Sequence, residues 1–490
     1  MIDDRYLSDA AHFPGGHAVE VAVPRTVDEV RGIVSRAATV LAIGAQSSLT
    51  GGATPMGETL LSTEKLTRVL DVGASHITVE AGVPVATIQD TLARRGAWFP
   101  PVPTFTGAFA GGIVATNAAG AATFRHGSVR RWVDALTVVL ADGSLLQIER
   151  GKRRAADVGI PVPTYRMPQV DKVSAGYFAA RDMDLIDLFI GSEGTLGVIT
   201  TVTFRTLSPR PTTALALVPC ASEASALALV TELRADTSVA AIEHMDRRSI
   251  EILREDGADA RCGVAFPDGT RLALLAQIEL AHDLSEGEAF DQIQASLSAS
   301  APDTALARVC RLLSAHGVFD ATELALPGQS RRSEQLIAIR EAVPAGVNAR
   351  VGRAQREIDA RIAKTAADMI VPFDRFAEMM AVYREGFRAR ALDFAIWGHI
   401  SDGNVHPNVL PRSYEDVERG KEAILFFGKA VARLGGCPLA EHGVGRSPVK
   451  QALLRGLYGE QGIEEMRAVK RALDPDWKLA PGVIFPPPDL

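Results

Sequence analysis

The sequence predicts an α+β protein of two or more domains. Its 490 residues exceed what one hydrophobic core usually serves, so the chain should divide into domains. A strand–helix–strand pattern opens the chain, and strand-like segments dominate up to about residue 207. Beyond SPRPTT (208–213), which is a plausible boundary, long helical stretches occupy much of 284–395. Strands and helices on both sides of a boundary near residue 210 are typical of an α+β architecture.

Residue spacing predicts the first elements. AVEVAVP (18–24) alternates like a strand, and TVDEVRGIVSRA (26–37) has apolar residues at helical spacing. Thr26 and Glu29 form a capping-box pattern at the start of that helix. TVLAIGA (39–45) is strand-like again and runs into a glycine-rich loop. Further strand-like segments lie at 60–62, 77–82, 135–149 and 196–207.

Composition excludes several classes of protein. A net charge of −7 with only short basic runs argues against nucleic-acid binding. No apolar run reaches the roughly 18 residues of a membrane span, and the first thirty residues lack a signal-peptide core. The four cysteines are scattered without a CxxC pair, which argues against a disulfide framework, an iron–sulfur cluster and a cysteine zinc site. A cytoplasmic location is therefore expected.

Three glycine-rich stretches indicate a bound cofactor. They are IGAQSSLTGGATP (43–55), TGAFAGGIVATNAAGAATFRHG (106–127) and IGSEGTLGVIT (190–200). Glycine and alanine allow close backbone approach, and successive N–H groups form an anion-binding nest that suits a dinucleotide pyrophosphate. The GxGxxG signature of the Rossmann fold and the Walker lysine are absent. One such loop alone would be read as turns, whereas three together, with Ser47, Ser48 and Asn117 as donors, favour a cofactor.

The segment HISDGNVH (399–406) brackets a turn with two histidines. Asp402-Gly403 predicts a two-residue hairpin turn. Closing the hairpin there places His399 opposite His406, with Asn408 on the same sheet face. Two imidazoles so placed can hold one metal ion. The alternative is a pair of half-buried histidines that are hydrogen-bonded to the backbone.

AEHGVGRSPVK (440–450) places a carboxylate and an imidazole before two glycines. Glu441 can complete a His-His-Glu site with His399 and His406. Two histidines and one carboxylate leave an open position, as in a catalytic rather than a structural zinc site. Manganese is the second choice, because the same donors suit it. The alternative, which spacing alone favours, is an ordinary surface loop.

Taken together, these stretches resemble the flavoprotein superfamily of vanillyl-alcohol oxidase and p-cresol methylhydroxylase. The closer resemblance is to its D-2-hydroxyacid dehydrogenase branch, which contains D-lactate dehydrogenases, the glycolate oxidase flavin subunit and D-2-hydroxyglutarate dehydrogenases. The resemblance runs from about residue 20 to 485. Its carriers, in the family's order, are GAQSSLTGG, PPVPTFTGAFAGGIVATNAAG with RHGSVRRWV, KVSAGY, LFIGSEGTLGVIT, IEHMD (242–246), IREAVP (339–344), HISDGNVHPNV and EHGVGR.

The resemblance implies a two-subdomain FAD-binding fold of the p-cresol methylhydroxylase type over residues 1–207. It also implies an α+β cap domain of the FAD-linked oxidase C-terminal type over 208–455, which binds substrate. The segment 456–490 would return to the flavin domain. The family's tail reads like LNPGK, whereas KLAPGVIF (478–485) has Ala480 and Val483, so the polar contact of that tail is expected to be lost or replaced.

The resemblance also implies where FAD would bind. The candidate contacts, many of them through backbone N–H groups, are Gly44, Ala45, Gln46, Ser47, Ser48, Gly51, Thr106, Gly112, Thr116, Asn117, Gly120, Ser128, Glu193, Gly194 and Ile199. We expect non-covalent FAD, because the first loop has no His, Tyr or Cys between Gly44 and Gly52 and the second segment has no Cys. His126 is the nearest residue that could form a covalent bond.

The implied reaction is FAD-dependent oxidation of a small D-2-hydroxy acid, of the D-lactate, glycolate or D-2-hydroxyglutarate type, to the 2-oxo acid. The family uses the position of Arg340 for the substrate carboxylate, and a guanidinium fork matches two oxygens. Spacing alone would make Arg340 a surface ion pair on a helix. A divalent ion at His399, His406 and Glu441 would polarise the substrate hydroxyl. Asn408 would orient the substrate, and His442 would take the proton.

Two other classes of function are open at this stage. One is different flavin chemistry on the same fold, such as alkyl-dihydroxyacetone-phosphate synthesis, and the other is a flavin subunit that only supports a larger complex. The paired histidines and Arg340 favour the hydroxyacid branch. The expected partners are the 2-hydroxy acid, an electron acceptor (quinone, cytochrome, flavoprotein or oxygen) and a second copy of the chain in a homodimer, without nucleic acid or an integral membrane segment.

Overall fold

A computed structural model describes residues 2–101, 105–298 and 302–487. Residues 102–104 of the predicted segment 100–120, and 488–490 of the predicted C-terminal segment, lie outside the described residues. The chain divides into two compact units. The first consists of Met1–Gly120, Gly127–Ser208 and Val431–Leu490, and the second of Ala121–His126 and Pro209–Ala430.

Strands and helices are interspersed through the described residues. The β-strands are β1 (Glu20–Ala22), β2 (Val40–Ile43), β3 (Thr59–Ser62), β4 (Val69–Val72), β5 (His76–Glu80), β6 (Val133–Val139), β7 (Leu145–Glu149), β8 (Val198–Arg205), β9 (Thr212–Cys220), β10 (Val239–Met245), β11 (Leu272–Leu280), β12 (Glu323–Ala325), β13 (Met369–Ile370), β14 (Phe394–His399) and β15 (Asn404–Val409). The α-helices are α1 (Val27–Arg36), α2 (Val85–Ala93), α3 (Ala110–Ala115), α4 (Thr123–His126), α5 (Ile186–Phe189), α6 (Glu223–Ala235), α7 (Arg247–Glu255), α8 (Ala258–Cys262), α9 (Glu286–Ala295), α10 (Ala305–Ala315), α11 (Ser330–Glu357), α12 (Phe376–Arg388), α13 (Tyr414–Arg433) and α14 (Pro448–Leu473). Short 3-10 helices cover Asp4–Tyr6, Val129–Trp132, Ala155–Val158, Phe319–Ala321, Phe373–Arg375 and Ile400–Asp402.

The first unit contains two sheets. β1, β3 and β2 form a parallel sheet in that order, so β1, α1 and β2 make the predicted strand–helix–strand opening. The second sheet is antiparallel in the order β4-β5-β8-β6-β7. The apolar face of α1, including Val30 and Val34, packs with Val40 and Leu61 in one core. The α+β prediction is therefore confirmed in this unit.

The start of α1 shows half of the predicted capping box. Thr26 has extended backbone geometry, and its hydroxyl accepts a hydrogen bond from the Glu29 N–H at 3.2 Å. The Glu29 carboxylate, however, accepts from the N–H of Arg25 at 2.7 Å instead of that of Thr26. The cap still satisfies N–H groups that the first helical turn leaves without intrahelical partners.

The second unit is built on one antiparallel sheet in the order β12-β9-β11-β10-β14-β15-β13. Because side chains alternate between faces, Met245 and Trp397, which pair across β10 and β14, share one face. That face packs in one hydrophobic core with Ile250 of α7 and with Ile339 and Val343 of α11. The polar residues described below extend the same face at the end of the strands.

The division into units differs from the predicted domain end at residue 455, since residues 431–455 group with the first unit. The hydrogen bonds of this stretch explain the grouping. The Ser174 N–H donates to the Leu439 carbonyl at 2.9 Å. The Arg446 guanidinium donates to Glu58 and to the Pro481 carbonyl, both at 2.6 Å.

The C-terminal tail joins the first unit through its backbone. The Val40 N–H donates to the Lys478 carbonyl at 2.8 Å, and the Ala480 N–H donates back to the Val40 carbonyl at 2.7 Å. Both departures from the family pattern, Ala480 and Val483, are buried. Apolar burial beside β2 thus takes the place of a polar side-chain contact at these two positions.

Among the residues that the structure describes, no helix is both long and apolar enough to cross a membrane.

Candidate functional site

The glycine-rich loops of the first unit surround a cavity of about 310 Å³, at the lower end of the roughly 300–1,000 Å³ usual for ligand pockets. The lining comes from the loop after β2, from α3 and its flanks, and from the segment before β8. The predicted FAD contacts on its wall are Gly44, Ala45, Gln46, Ser47, Ser48, Gly112, Thr116, Glu193, Gly194 and Ile199. Gly51, Thr106, Asn117, Gly120 and Ser128 are not among the described lining residues.

Three residues beside this cavity hold a left-handed backbone conformation although they are not glycine. They are Gln46, Asn117 and Glu193, with φ of 51°, 48° and 51°. Such conformations cost free energy and persist where surrounding contacts impose them. The Gln46 amide donates to the carbonyls of Tyr6 and Ala53. The Asn117 oxygen accepts from the Arg130 N–H at 3.1 Å.

Glu193 anchors the loop that carries Glu441 and His442. Its carboxylate oxygens accept hydrogen bonds from the N–H groups of Val444 and Gly445, each at 2.8 Å. Burial raises the pKa of Glu193 to about 7, and these two hydrogen bonds and the charge of Lys450 offset only part of that rise. Glu193 was predicted as an FAD contact. In the structure its carboxylate instead accepts hydrogen bonds from the backbone of the chain.

Glu441 and His442 also line the cavity. The Glu441 carboxylate lies 2.6 Å from the ammonium of Lys172, whose side chain is fully buried. Sequence reasoning missed this lysine, although it begins the KVSAGY motif. A buried carboxylate beside a buried ammonium is neutralised at close range, which is how proteins accommodate such charges.

The second unit holds a buried polar cluster around Glu243. One Glu243 oxygen accepts from Arg340 through Nε at 3.0 Å and Nη2 at 2.9 Å. The other lies 2.7 Å from Nδ1 of His399. Burial acts to raise the pKa of Glu243, but the charge of Arg340 and the hydrogen bonds from Arg340 and His399 outweigh it and hold that pKa well below its ordinary value. Arg340 is thus a buried partner of Glu243 and not a surface ion pair.

The predicted hairpin register is wrong. β14 and β15 are joined by a 3-10 turn, Ile400–Asp402, and by Gly403 at φ 83°, so His399 pairs with Asn404 and His406 pairs with Trp397. Asp402-Gly403 does not form the two-residue turn, because the Gly403 N–H donates to the Ile400 carbonyl and closes that helical turn. The shift is two residues, which keeps side chains on their face.

The two histidines therefore still lie together. Their ring centroids are 5.6 Å apart and the rings are nearly perpendicular, at 89°. Nδ1 of His406 lies 3.5 Å from the Asp368 carboxylate, so each imidazole has a carboxylate near Nδ1. Asn408 lies on the same face, and its buried Oδ1 has no hydrogen-bond partner among the described residues.

Both sets of residues fit the groups predicted for them. In the first unit, a Cβ on Gly112 or Gly194 would meet no other atom within 4 Å, so these positions open into free space that a side chain would fill. In the second unit, Nδ1 of His399 contacts the Glu243 carboxylate at 2.7 Å, and Nδ1 of His406 lies 3.5 Å from the Asp368 carboxylate. A carboxylate at Nδ1 orients a histidine ligand toward a metal through Nε2. Imidazole and carboxylate donors suit zinc or manganese.

Comparison with known families decides the family of the chain. Residues 210–484 match the family described as FAD linked oxidases, C-terminal domain, and residues 19–149 match the FAD binding domain family. The first match alone covers more than half of the chain. This chain belongs to the FAD-linked oxidases.

This FAD-linked oxidase has relatives along nearly its whole length. It is 28% identical over 477 residues to a D-2-hydroxyglutarate dehydrogenase of Xanthomonas citri pv. viticola, covering 95% of this chain and 89% of the relative. It is 28% identical over 475 residues to a D-lactate dehydrogenase of Archaeoglobus fulgidus, with 95% and 90% covered. It is 26% identical over 479 residues to glycolate oxidase subunit GlcD of Bacillus subtilis, with 95% and 88% covered. The resemblance predicted from the motifs is confirmed.

A solved structure supports the fold. An alkyldihydroxyacetonephosphate synthase superposes with a TM-score of 0.60 at 14% identity, covering 94% of this chain and 75% of that one. A similarity at this identity shows the shared fold alone, because one fold hosts many chemistries. The FAD-linked oxidase fold predicted for this chain is therefore confirmed.

Proposed function

We propose that this FAD-linked oxidase converts a small D-2-hydroxy acid to the corresponding 2-oxo acid. The observation that carries the proposal is the buried cluster on one sheet face, where Arg340 and His399 share Glu243 and His406 lies beside them. A guanidinium matches the two oxygens of a carboxylate, and paired imidazoles can hold a metal ion that would bind an adjacent hydroxyl. The relatives named D-2-hydroxyglutarate dehydrogenase, D-lactate dehydrogenase and glycolate oxidase subunit support the same substrate class.

Arg340 is proposed to bind the substrate carboxylate. Glu243 engages its Nε and Nη2, and a guanidinium carries five N–H donors, so Nη1 has donors for a substrate oxygen. The side chain of Arg340 is only 13% exposed. A charge-assisted hydrogen bond in such a place is stronger than one at the surface.

His399, His406 and Glu441 are proposed as the ligands of a zinc ion, with manganese as the second choice. The two histidines belong to the second unit, whereas Glu441 belongs to the first. Glu441 is therefore proposed as a ligand on the basis of the EHGVGR motif. A bound divalent ion would polarise the hydroxyl oxygen of the substrate. Asn408, with a buried acceptor oxygen on the histidine face, is proposed to orient the substrate.

His442 is proposed to accept the hydroxyl proton. It is a half-buried imidazole on the wall of the candidate flavin cavity. Imidazole is the side chain best matched to proton transfer near neutral pH. FAD, when bound, would supply the two-electron chemistry, with flavin N5 as the acceptor of the Cα hydride. The hydride and the proton together account for the two hydrogens that the hydroxy acid loses.

Anaerobic stopped-flow mixing tests this proposal. The holoprotein is mixed with D-lactate, glycolate, D-2-hydroxyglutarate and D-malate, and with L-lactate as the stereochemical control. We expect at least one D-acid or glycolate to bleach the flavin absorbance with formation of one 2-oxo acid per flavin, and L-lactate to react far more slowly. If no 2-hydroxy acid bleaches the flavin, the proposal is wrong, and a chemistry without net flavin reduction takes its place.

A further inference from the structure

Glu243 occupies a central position in the second unit without a role in the function proposed above. It lies on β10 directly opposite His399 of β14, in a buried part of the sheet. Each of its oxygens serves one partner. Oε1 faces Nδ1 of His399 at 2.7 Å, and Oε2 accepts from Arg340 at 2.9 and 3.0 Å.

We propose that Glu243 is a positioning residue that orients the His399 imidazole toward a metal ion and the Arg340 guanidinium toward the substrate carboxylate. The inference rests on the proposed function, because it assigns Glu243 to the same site. In this role Glu243 acts only through its two hydrogen-bond partners, His399 and Arg340.

The tautomer of His399 follows from the chemistry of the pair. An ionised carboxylate accepts hydrogen bonds and has none to donate. Nδ1 of His399 must therefore carry the proton that the 2.7 Å contact requires, and the neutral ring then presents the lone pair of Nε2. Removing the Glu243 carboxylate would take away the acceptor that favours this tautomer and this ring orientation. Loss of such an outer partner typically weakens metal binding by about 10–100-fold.

The orientation of Arg340 follows in the same way. Two nitrogens on one edge of the planar guanidinium bind a single Glu243 oxygen, which fixes the plane and therefore the direction of Nη1. Arg340 comes from α11, whose neighbouring residues Ile339 and Val343 are buried in the core under the sheet. Core packing of α11 thus fixes the backbone position of Arg340, and Glu243 fixes the orientation of its guanidinium group.

Stability alone does not explain this cluster. Buried ion pairs often contribute no more than apolar side chains of the same volume, since desolvation offsets most of the attraction. A second cluster of the same type, in which Glu279 of β11 lies 2.7 Å from Nε2 of His126 and 3.7 Å from Arg125, is also found in this unit. It offers a matched control with the same residue types outside the proposed site.

The test compares Glu243→Gln with Glu279→Gln in the FAD-loaded full chain. The glutamine amide has one acceptor oxygen, whereas Glu243 uses one oxygen for His399 and the other for Arg340. For Glu243→Gln we expect Co²⁺ or Zn²⁺ affinity to fall by about 10–100-fold and half-saturating substrate to rise by roughly tenfold or more, the effect of one hydrogen bond to a charged group. FAD content should not change. Glu279→Gln should leave metal affinity and half-saturation at wild-type values.

The outcomes separate this inference from the proposed function. A wild-type protein that binds no divalent ion and is not reduced by any 2-hydroxy acid contradicts both. A wild-type protein that does both, with a Glu243→Gln variant of equal metal affinity and equal half-saturation, overturns only the role of Glu243. Should Glu243→Gln fail to fold, Glu243→Asp keeps the charge but is one methylene shorter, and wild-type metal affinity and half-saturation in that variant would equally overturn the role.

Discussion

The Lys172–Glu441 pair is a buried ion pair beside the candidate flavin cavity. Lys172 is fully buried, Glu441 is nearly so, and their charged atoms are 2.6 Å apart. Removing one partner of a buried ion pair leaves an uncompensated charge, which costs about 3–5 kcal/mol. We expect Lys172→Met to lower the free energy of unfolding of the apoprotein by that order in a urea titration.

Lys450→Met is the matched control for this measurement. Lys450 is only half-buried, and its ammonium donates to the Gly443 carbonyl at 3.4 Å, in the same loop as Glu441. The control should lose much less stability. Equal losses for the two variants, or a loss below about 1 kcal/mol for Lys172→Met, would show that the buried pair does not stabilise the fold as argued.

His442→Ala tests the proposed base at the level of one imidazole. Removing a positioned base usually slows reaction by about 10²–10⁴-fold. We expect flavin reduction to slow by that order, with FAD and metal content unchanged and half-saturating substrate little affected. Arg340→Ala should do the reverse and raise half-saturating substrate first, because it removes a binding group. Loss of metal in His442→Ala would instead identify His442 as a ligand.

Single motifs identified Arg340, His399 and Glu441 as candidates, but not the residues that hold them. Glu243 is 97 residues from Arg340 and 156 from His399 along the chain. No local spacing relates such partners, since only strand pairing brings them together. Both Glu243 and Lys172 stand in motifs that carried the family resemblance, which is the one signal in the sequence that pointed to them.

At the scale of elements, the β14–β15 hairpin shows what a turn signal can predict. Asp402-Gly403 predicted a turn, and a turn is present, but its type and length are different. A one-residue error in register would have sent His406 to the opposite face. The two-residue difference preserved the face and moved His406 from the position opposite His399 to the diagonal one. Side-chain alternation was therefore predictable where loop geometry was not.

The burial of Glu193 gives stability a pH dependence. The pKa of Glu193 is raised from 4.5 to about 7, so the folded chain holds this proton more tightly than the unfolded chain. The contribution to stability is fully present below about pH 4.5 and is lost as pH rises towards 7. Between pH 5 and 7 the melting temperature of the apoprotein should therefore fall, and Glu193→Gln should flatten that part of the profile.

A second carboxyl serves as the control for this profile. The pKa of Glu465 is lowered, because hydrogen bonds from Thr164 outweigh the effect of burial. The contribution of Glu465 to stability changes only below the ordinary glutamate pKa of 4.5. Glu465→Gln should therefore leave the slope of melting temperature against pH between pH 5 and 7 as it is in the wild type. An unchanged slope in Glu193→Gln would mean that another group titrates in this range.

At the scale of the whole molecule, the sequence predicted a domain boundary near residue 210, and the two compact units divide between Ser208 and Pro209. It did not foresee that residues 431–455 group with the first unit. The reason is again distance along the chain, since Arg446 and Glu193 act between segments that are hundreds of residues apart. Local composition marks a linker, but it does not show which earlier segment a returning chain joins.

Flavin retention tests the first unit as a whole. Flavoproteins with covalent FAD attach the ring through His, Tyr or Cys, and His442 is the only one of these among the described residues that line the cavity. His126 belongs to the second unit and lies 2.7 Å from Glu279. We expect acid precipitation of the holoprotein to release all yellow colour into the supernatant. If the colour stays in the wild-type pellet but is released from the His442→Ala variant, a covalent bond between the flavin and His442 is assigned instead. If it is released from the His126→Ala variant, the covalent bond is to His126.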